Sequence, residues 1–147
     1  MPRSSIFALV AISAVVACTR SGSRTPPPQP PAGHVDMTLT CYPDGTLGFV
    51  LAPWSVTLPA PTGAFTFTND HESNVDATIA AQNPQYPFGG RKINAPHNGA
   101  ATVEKPVAGT PDGTYKYSVT AVCPSPSGPK TTVVDPDMII PWKIAAS

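Results

Sequence analysis

From Val35 onward, apolar and polar residues alternate with a period of two, and the spacing expected of a helix is nearly absent. Residues 35–41 (VDMTLTC) set Val35, Met37, Leu39 and Cys41 on one side of a strand, because successive side chains in extended chain point to opposite faces. The same pattern predicts strands over residues 46–50, 54–58, 64–68, 75–80 and 100–105. Residues 114–122 (TYKYSVTAV) make the clearest strand, and 131–134 and 137–140 close the series. Pro43-Asp44-Gly45 and Pro111-Asp112-Gly113 mark turns, and Asn98-Gly99 reads as a hairpin turn of the type whose two central residues take positive φ. Residues 82–91 (QNPQYPFGGR) form an irregular loop. Short strands at near-regular spacing predict an all-β, antiparallel sandwich or barrel. Twenty prolines leave no room for long helices.

The first 33 residues follow other rules. Residues 6–17 (IFALVAISAVVA) form a 12-residue apolar run behind Arg3. A membrane-spanning helix takes about 20 residues, whereas the apolar part of an export signal takes about 7–15 and ends in small residues. The string Val15-Val16-Ala17-Cys18 resembles the lipobox of bacterial lipoproteins, in which the chain is cut before the cysteine and the thiol receives lipid. The resemblance implies a signal peptide over residues 1–17, acyl chains such as palmitate on Cys18, and a membrane anchor. Thr19 stands where an Asp would favour inner-membrane retention. The expected address is therefore the cell envelope, at the outer membrane or cell surface. Residues 18–33 then form a tether, with five prolines among Pro26–Pro31. Such a segment favours extended polyproline II, about 3.1 Å per residue.

The 114 residues from 34 to 147 suffice for one domain with its own core. The full chain is neutral, but three of its nine basic residues precede the domain, leaving six Lys/Arg against nine Asp/Glu. A mildly acidic domain has no basic stripe for a phosphate backbone, so nucleic acid is not an expected partner. An envelope protein or small ligand is. With Cys18 assigned to lipid, Cys41 and Cys123 remain as a candidate disulfide. Both fall on the inward faces of their strands, and an oxidising compartment would permit the bond.

Two segments resemble the cupredoxin family. Gly113-Thr114-Tyr115-Lys116-Tyr117-Ser118 is similar to the strand that leads to the family's copper-binding cysteine. Phe65-Thr66-Phe67-Thr68-Asn69-Asp70-His71 is similar to the strand before its first histidine ligand. The resemblance implies a Greek-key β-sandwich of cupredoxin-like shape. It implies no type-1 copper, because Val119 stands where the thiolate would and no histidine follows it. The expectation is a domain without cofactor. The alternative is a copper or zinc site of His71 and His97 with Asp70 or Glu72. His34, beside the tether, is expected to be exposed.

Tyr86, Phe88 and Arg91 offer apolar area and a cation for partner binding. The favoured reading of the two rings is a plug for one end of the sandwich. Trp54 and Trp142 are expected to seal the core, and Asp135 and Asp137 to form a turn around Pro136. No Gly-x-Ser-x-Gly elbow or nucleophile with an oriented base is visible. The expected role is binding or scaffolding at the envelope and not catalysis.

Overall fold

The computed structural model describes residues 31–146. The signal-like residues 1–17, Cys18 and the tether through Pro30 lie outside the described residues. Ten strands follow in order: β1 (His34–Cys41), β2 (Leu47–Ala52), β3 (Ser55–Thr57), β4 (Phe65–Asn69), β5 (Ala77–Ala81), β6 (Lys92–Ala95), β7 (Ala101–Glu104), β8 (Gly113–Cys123), β9 (Lys130–Val134) and β10 (Asp137–Ile140). No helix occurs among the described residues. A four-stranded sheet has the order β2-β1-β4-β7. A six-stranded sheet has the order β3-β10-β8-β5-β6, with β9 also on β8.

Alternation builds the core directly. Val35, Met37 and Leu39 of β1 and Phe65 and Phe67 of β4 are buried in the first sheet. Ile79 of β5 and Tyr117, Val119 and Ala121 of β8 are buried in the second, and all belong to one apolar cluster. The Phe67 and Tyr117 rings meet across the two sheets, 5.8 Å between centroids. The fold is therefore all-β and sandwich-like. The Cys41–Cys123 disulfide joins the C-terminal ends of β1 and β8, Cα atoms 5.3 Å apart. β1 and β8 thus end at the same end of the body. One end of the body, here called proximal, receives the chain at Pro31. The other, distal end carries the disulfide.

The sheets are mixed, not wholly antiparallel. β1 pairs with β4 in parallel, and so does β3 with β10. The chain leaves β2 for the other sheet at β3 before returning as β4, so β4 comes back beside β1 running the same way. Asn98-Gly99 also departs from expectation. Gly99 has φ +75° but Asn98 does not have positive φ, and the turn carries the chain from β6 in one sheet to β7 in the other. β6, with Ile93 and Ala95 inward, is a strand the sequence reading does not include. Asp135 and Asp137 form no reversal. β9 and β10 run along β8 in one continuous register, and Pro136 interrupts it because it has no N–H to donate. Asp135 accepts a hydrogen bond from the Ser118 hydroxyl at 2.8 Å, and Asp137 pairs with Lys116 at 2.7 Å.

Trp54 and Trp142 do not seal the core: they are 46% and 41% exposed. Trp54 sits on the crossing between the sheet edges and Trp142 follows the last strand. His34 is half-buried instead of exposed, because it begins β1 and pairs with Thr66.

Two stability changes follow. Removing both Cys41 and Cys123 as alanines should cost about 2–5 kcal/mol in urea unfolding, since the bond closes a long loop of the unfolded chain. The Tyr117 hydroxyl is buried with no partner, and burial pushes its phenol well above the ordinary range. Tyr117→Phe should be neutral or stabilising by about 1 kcal/mol in the same measurement, because it removes an unmet desolvation cost.

Candidate functional site

The distal end is assembled from four loops, three of which interlock by hydrogen bonds and close packing, the fourth being the β6–β7 turn. The β1–β2 turn is organised by Asp44, whose carboxylate accepts from the Thr46 amide at 2.9 Å and hydroxyl at 2.6 Å. These bonds hold the Asp44 carboxyl below the ordinary carboxylate range. Gly45, at φ +80°, lies so close to the β8–β9 loop that a Cβ there would stand 2.6 Å from Ser125 Cβ. Lys130 Nζ donates to the Asp44 carbonyl at 2.6 Å and ties the same two loops together.

The third loop, residues 70–74, replaces a strand with side chains. The Asp70 and Asn74 amides donate to the Met37 and Leu39 carbonyls at 2.8 and 3.0 Å. Ser73 Oγ accepts from the Leu39 amide at 2.8 Å. The Asn74 carboxamide accepts from Cys41 N–H at 2.7 Å and donates to the Cys41 carbonyl at 3.1 Å. One side chain thus completes both main-chain groups of a disulfide cysteine. Fully buried Asn69 donates to the Val75 and Ala95 carbonyls at 2.9 and 3.0 Å, joining β4 to the opposite sheet.

Two pockets meet at this end. One, about 380 Å³, is lined by Cys41, Tyr42, Pro43, Asn74, Pro124 and neighbouring residues. The second, about 480 Å³, is lined among others by Asn74, Asp76, Thr78, His97, Thr120 and Pro124. They share Asn74 and Pro124 and form one shallow, largely apolar groove that runs from beside the disulfide onto the outward face of β5 and β8 at Thr78, Thr120 and Val122. The Asp76 carboxylate accepts from His97 N–H at 3.0 Å and lies 2.5 Å from His97 Nδ1. The His97 bonds push the Asp76 carboxyl below its ordinary value. The groups present could bind by hydrogen bonding and apolar contact.

The sequence-predicted residues separate into two regions. His71 and His97 belong to neighbouring distal loops, for a Cβ on Gly99 would lie 3.7 Å from the His71 amide nitrogen. Each ring nevertheless faces its own carboxylate, His71 with Asp70 at 2.8 Å and His97 with Asp76. Glu72 gives its amide to Asp70 at 2.9 Å. Among the described residues, no three His, Cys, Asp or Glu side chains are grouped to hold a metal ion. The quartet of His71, His97, Asp70 and Glu72 is therefore not assembled. Val119 is buried opposite Ile79 and Val134, in apolar surroundings.

Tyr86, Phe88 and Arg91 lie on the β5–β6 connection, towards the proximal end. Phe88 is fully buried, edge-on to Phe65 and Phe67 at 6.0 and 6.4 Å. It plugs the sandwich and has no surface to offer a partner. Tyr86 is half-buried. Arg91 is exposed, donates to the Phe88 carbonyl at 3.1 Å and pairs with Glu104. Sequence reasoning passed over Asn69, Ser73, Asn74 and Asp76. Their signal was a run of short polar side chains after a strand, residues able to bond backbone in place of a ladder. No protein-family model, curated protein or solved structure matches the chain.

The Asp76–His97 contact carries a pH dependence of known sign. A carboxyl depressed below its ordinary value of 3.8 stabilises the fold fully above that value. It loses the contribution as pH falls through the lower folded value. Protection of the His97 amide, measured against its intrinsic exchange rate, should therefore hold at neutral pH and fall only below about pH 4. In Asp76→Asn this acid-side transition should be absent.

Proposed function

We propose that this is a lipid-anchored binding protein of the cell envelope, held by acyl chains on Cys18 and presenting its distal groove away from the membrane. The observation that carries the reading is polarity. The chain enters the sandwich at Pro31, while the Asn74–Pro124 groove lies at the opposite end, beside Cys41 and Cys123. An oxidising address agrees with the disulfide. Several acyl chains give the stable attachment that one chain does not. A proline-rich tether of about 3.1 Å per residue would hold the groove clear of the lipid.

The domain is read as a Greek-key, cupredoxin-like sandwich without type-1 copper. Support comes from the inward aromatics of β4 and β8 and from the valine at position 119. Binding or scaffolding, with no chemical step, is the role assigned. An envelope protein or small ligand is the partner, and the contact surface is Tyr42, Asn74, Asp76 and His97.

Cys18→Ser should abolish incorporation of labelled palmitate and move the chain out of the lipid-anchored fraction. Tyr42→Ala/Asp76→Ala, in a chain that keeps its Cys41–Cys123 bond, should lose the partners that the unaltered chain recovers from envelope extracts. Equal recovery would remove the distal groove from consideration and leave the anchor untouched.

A further inference from the structure

The four-stranded sheet ends at β2, which pairs with β1 on one side and with no strand on the other. The direction of its free groups follows from the bonds around β1. Met37, Leu39 and Cys41 spend main-chain groups on residues 70–74, away from β2. The Tyr42 amide donates to the Thr46 carbonyl across the turn. The β1 residues facing β2 are therefore Asp36, Thr38 and Thr40, opposite Ala52, Val50 and Gly48. Alternation then leaves the amides and carbonyls of Leu47, Phe49 and Leu51 directed at the open edge.

That edge carries no charge and no proline over six residues, LGFVLA, with Phe49 42% and Val50 63% exposed. Such an edge is a template for another strand. The other edge strands are blunted. β3 has three residues, β6 carries Lys92, β7 carries Glu104 and β9 carries Lys130. β6 and β7 also lie together, the Thr102 hydroxyl donating to the Asn94 carbonyl at 3.2 Å.

We propose that β2 is a self-association edge, pairing antiparallel with β2 of a second copy about a two-fold axis at Phe49. The chemistry of the strand singles out a second copy. Leu47, Phe49 and Leu51 read the same in both directions, so Phe49 meets the partner's Phe49 and Leu47 meets the partner's Leu51. Every outward main-chain group then faces its complement, each facing pair exchanging two hydrogen bonds. Between them Gly48, covered by the Tyr42 ring of its own chain, meets the partner's Val50. A charged edge meeting its own copy would oppose like charges, at a cost; β2 opposes none. The two four-stranded sheets become continuous, and the contact is isologous and closed.

The test is cross-linking of the full chain carrying Phe49→Cys with a short bis-maleimide. Facing Cβ atoms in such a hydrogen-bonded pair stand about 5.5 Å apart, too far for a direct disulfide but within the span of the reagent. A cross-linked dimer is expected, with Cys41–Cys123 retained on mass mapping. Val122→Cys, exposed on the outer face of β8, should give none. Adding Val50→Lys should lower the dimer yield about fivefold or more. No dimer from a folded Phe49→Cys chain, an equal yield from Val122→Cys, or capture of a different protein would each overturn the proposal. If Phe49→Cys does not fold, amide exchange of the unaltered chain decides. Protection of Leu47, Phe49 and Leu51 that rises with concentration supports self-pairing, and protection independent of it refutes it.

Discussion

Two alternating faces bury against each other, and the position of every loop depends on how that layer is closed at its rims. Towards the proximal end, closure is apolar: Phe88 leaves its loop and fills the space against Phe65 and Phe67. At the distal end it is covalent and polar. Cys41 and Cys123 cross the layer, and Asn69 and Asn74 satisfy the main-chain groups that a ladder would otherwise take. The difference has a physical basis. An aromatic plug consumes its ring surface in closing the body. A disulfide with a carboxamide beside it occupies little volume and leaves a groove above.

The charges are divided along the same axis. Asp44, Asp70, Glu72 and Asp76 belong to distal loops, where Lys130 is the basic residue and is turned onto the Asp44 carbonyl. Arg91, Lys92, Lys105, Lys116 and Lys143 lie towards the other end, two of them paired with Glu104 and Asp137. The mild acidity of the domain is thus concentrated around the groove and not spread over the surface. A neutral or cationic ligand meets no electrostatic barrier there, while an anionic one does. Asp44 and Asp76, stabilised as carboxylates by hydrogen bonds, keep that charge into acid conditions.

Nine of the ten strands were legible in the alternation, β6 being the one missed. β1, β4, β8 and β10 lie within a residue or two of the positions alternation predicts, and the shared inward faces of Cys41 and Cys123 anticipated their bond. What alternation cannot carry is which strand pairs with which. The parallel β1–β4 pair arises because the chain changes sheets twice between them, and no local pattern records that. The histidines show the same limit. Polar residues beside a strand end suggested one cluster, but His71 and His97 are each satisfied by the nearest carboxylate on their own approach. Asn74 was overlooked because its role depends on Cys41, 33 residues away.

The remaining asymmetry lies between the two long sides of the sandwich. On one side β6 and β7, from different sheets, come together under Thr102 and Asn94, with the Arg91–Glu104 pair beside them. On the other side β2 and β3 are joined by a short crossing, where Phe49 and Trp54 lean together at 6.5 Å while both stay exposed. A domain of this size gains little by leaving two aromatic rings and an uncharged edge in water, since edge strands are ordinarily short, charged or covered. β3 and β6 meet that rule by length and by Lys92. β2 meets none of its conditions, and its Leu-Phe-Leu symmetry allows the same residues to complete it from a second chain. About that two-fold axis the copies run in opposite directions, so the distal groove of one lies beside the proximal end of the other, and in a membrane-held pair one groove faces away from the lipid while the other faces towards it.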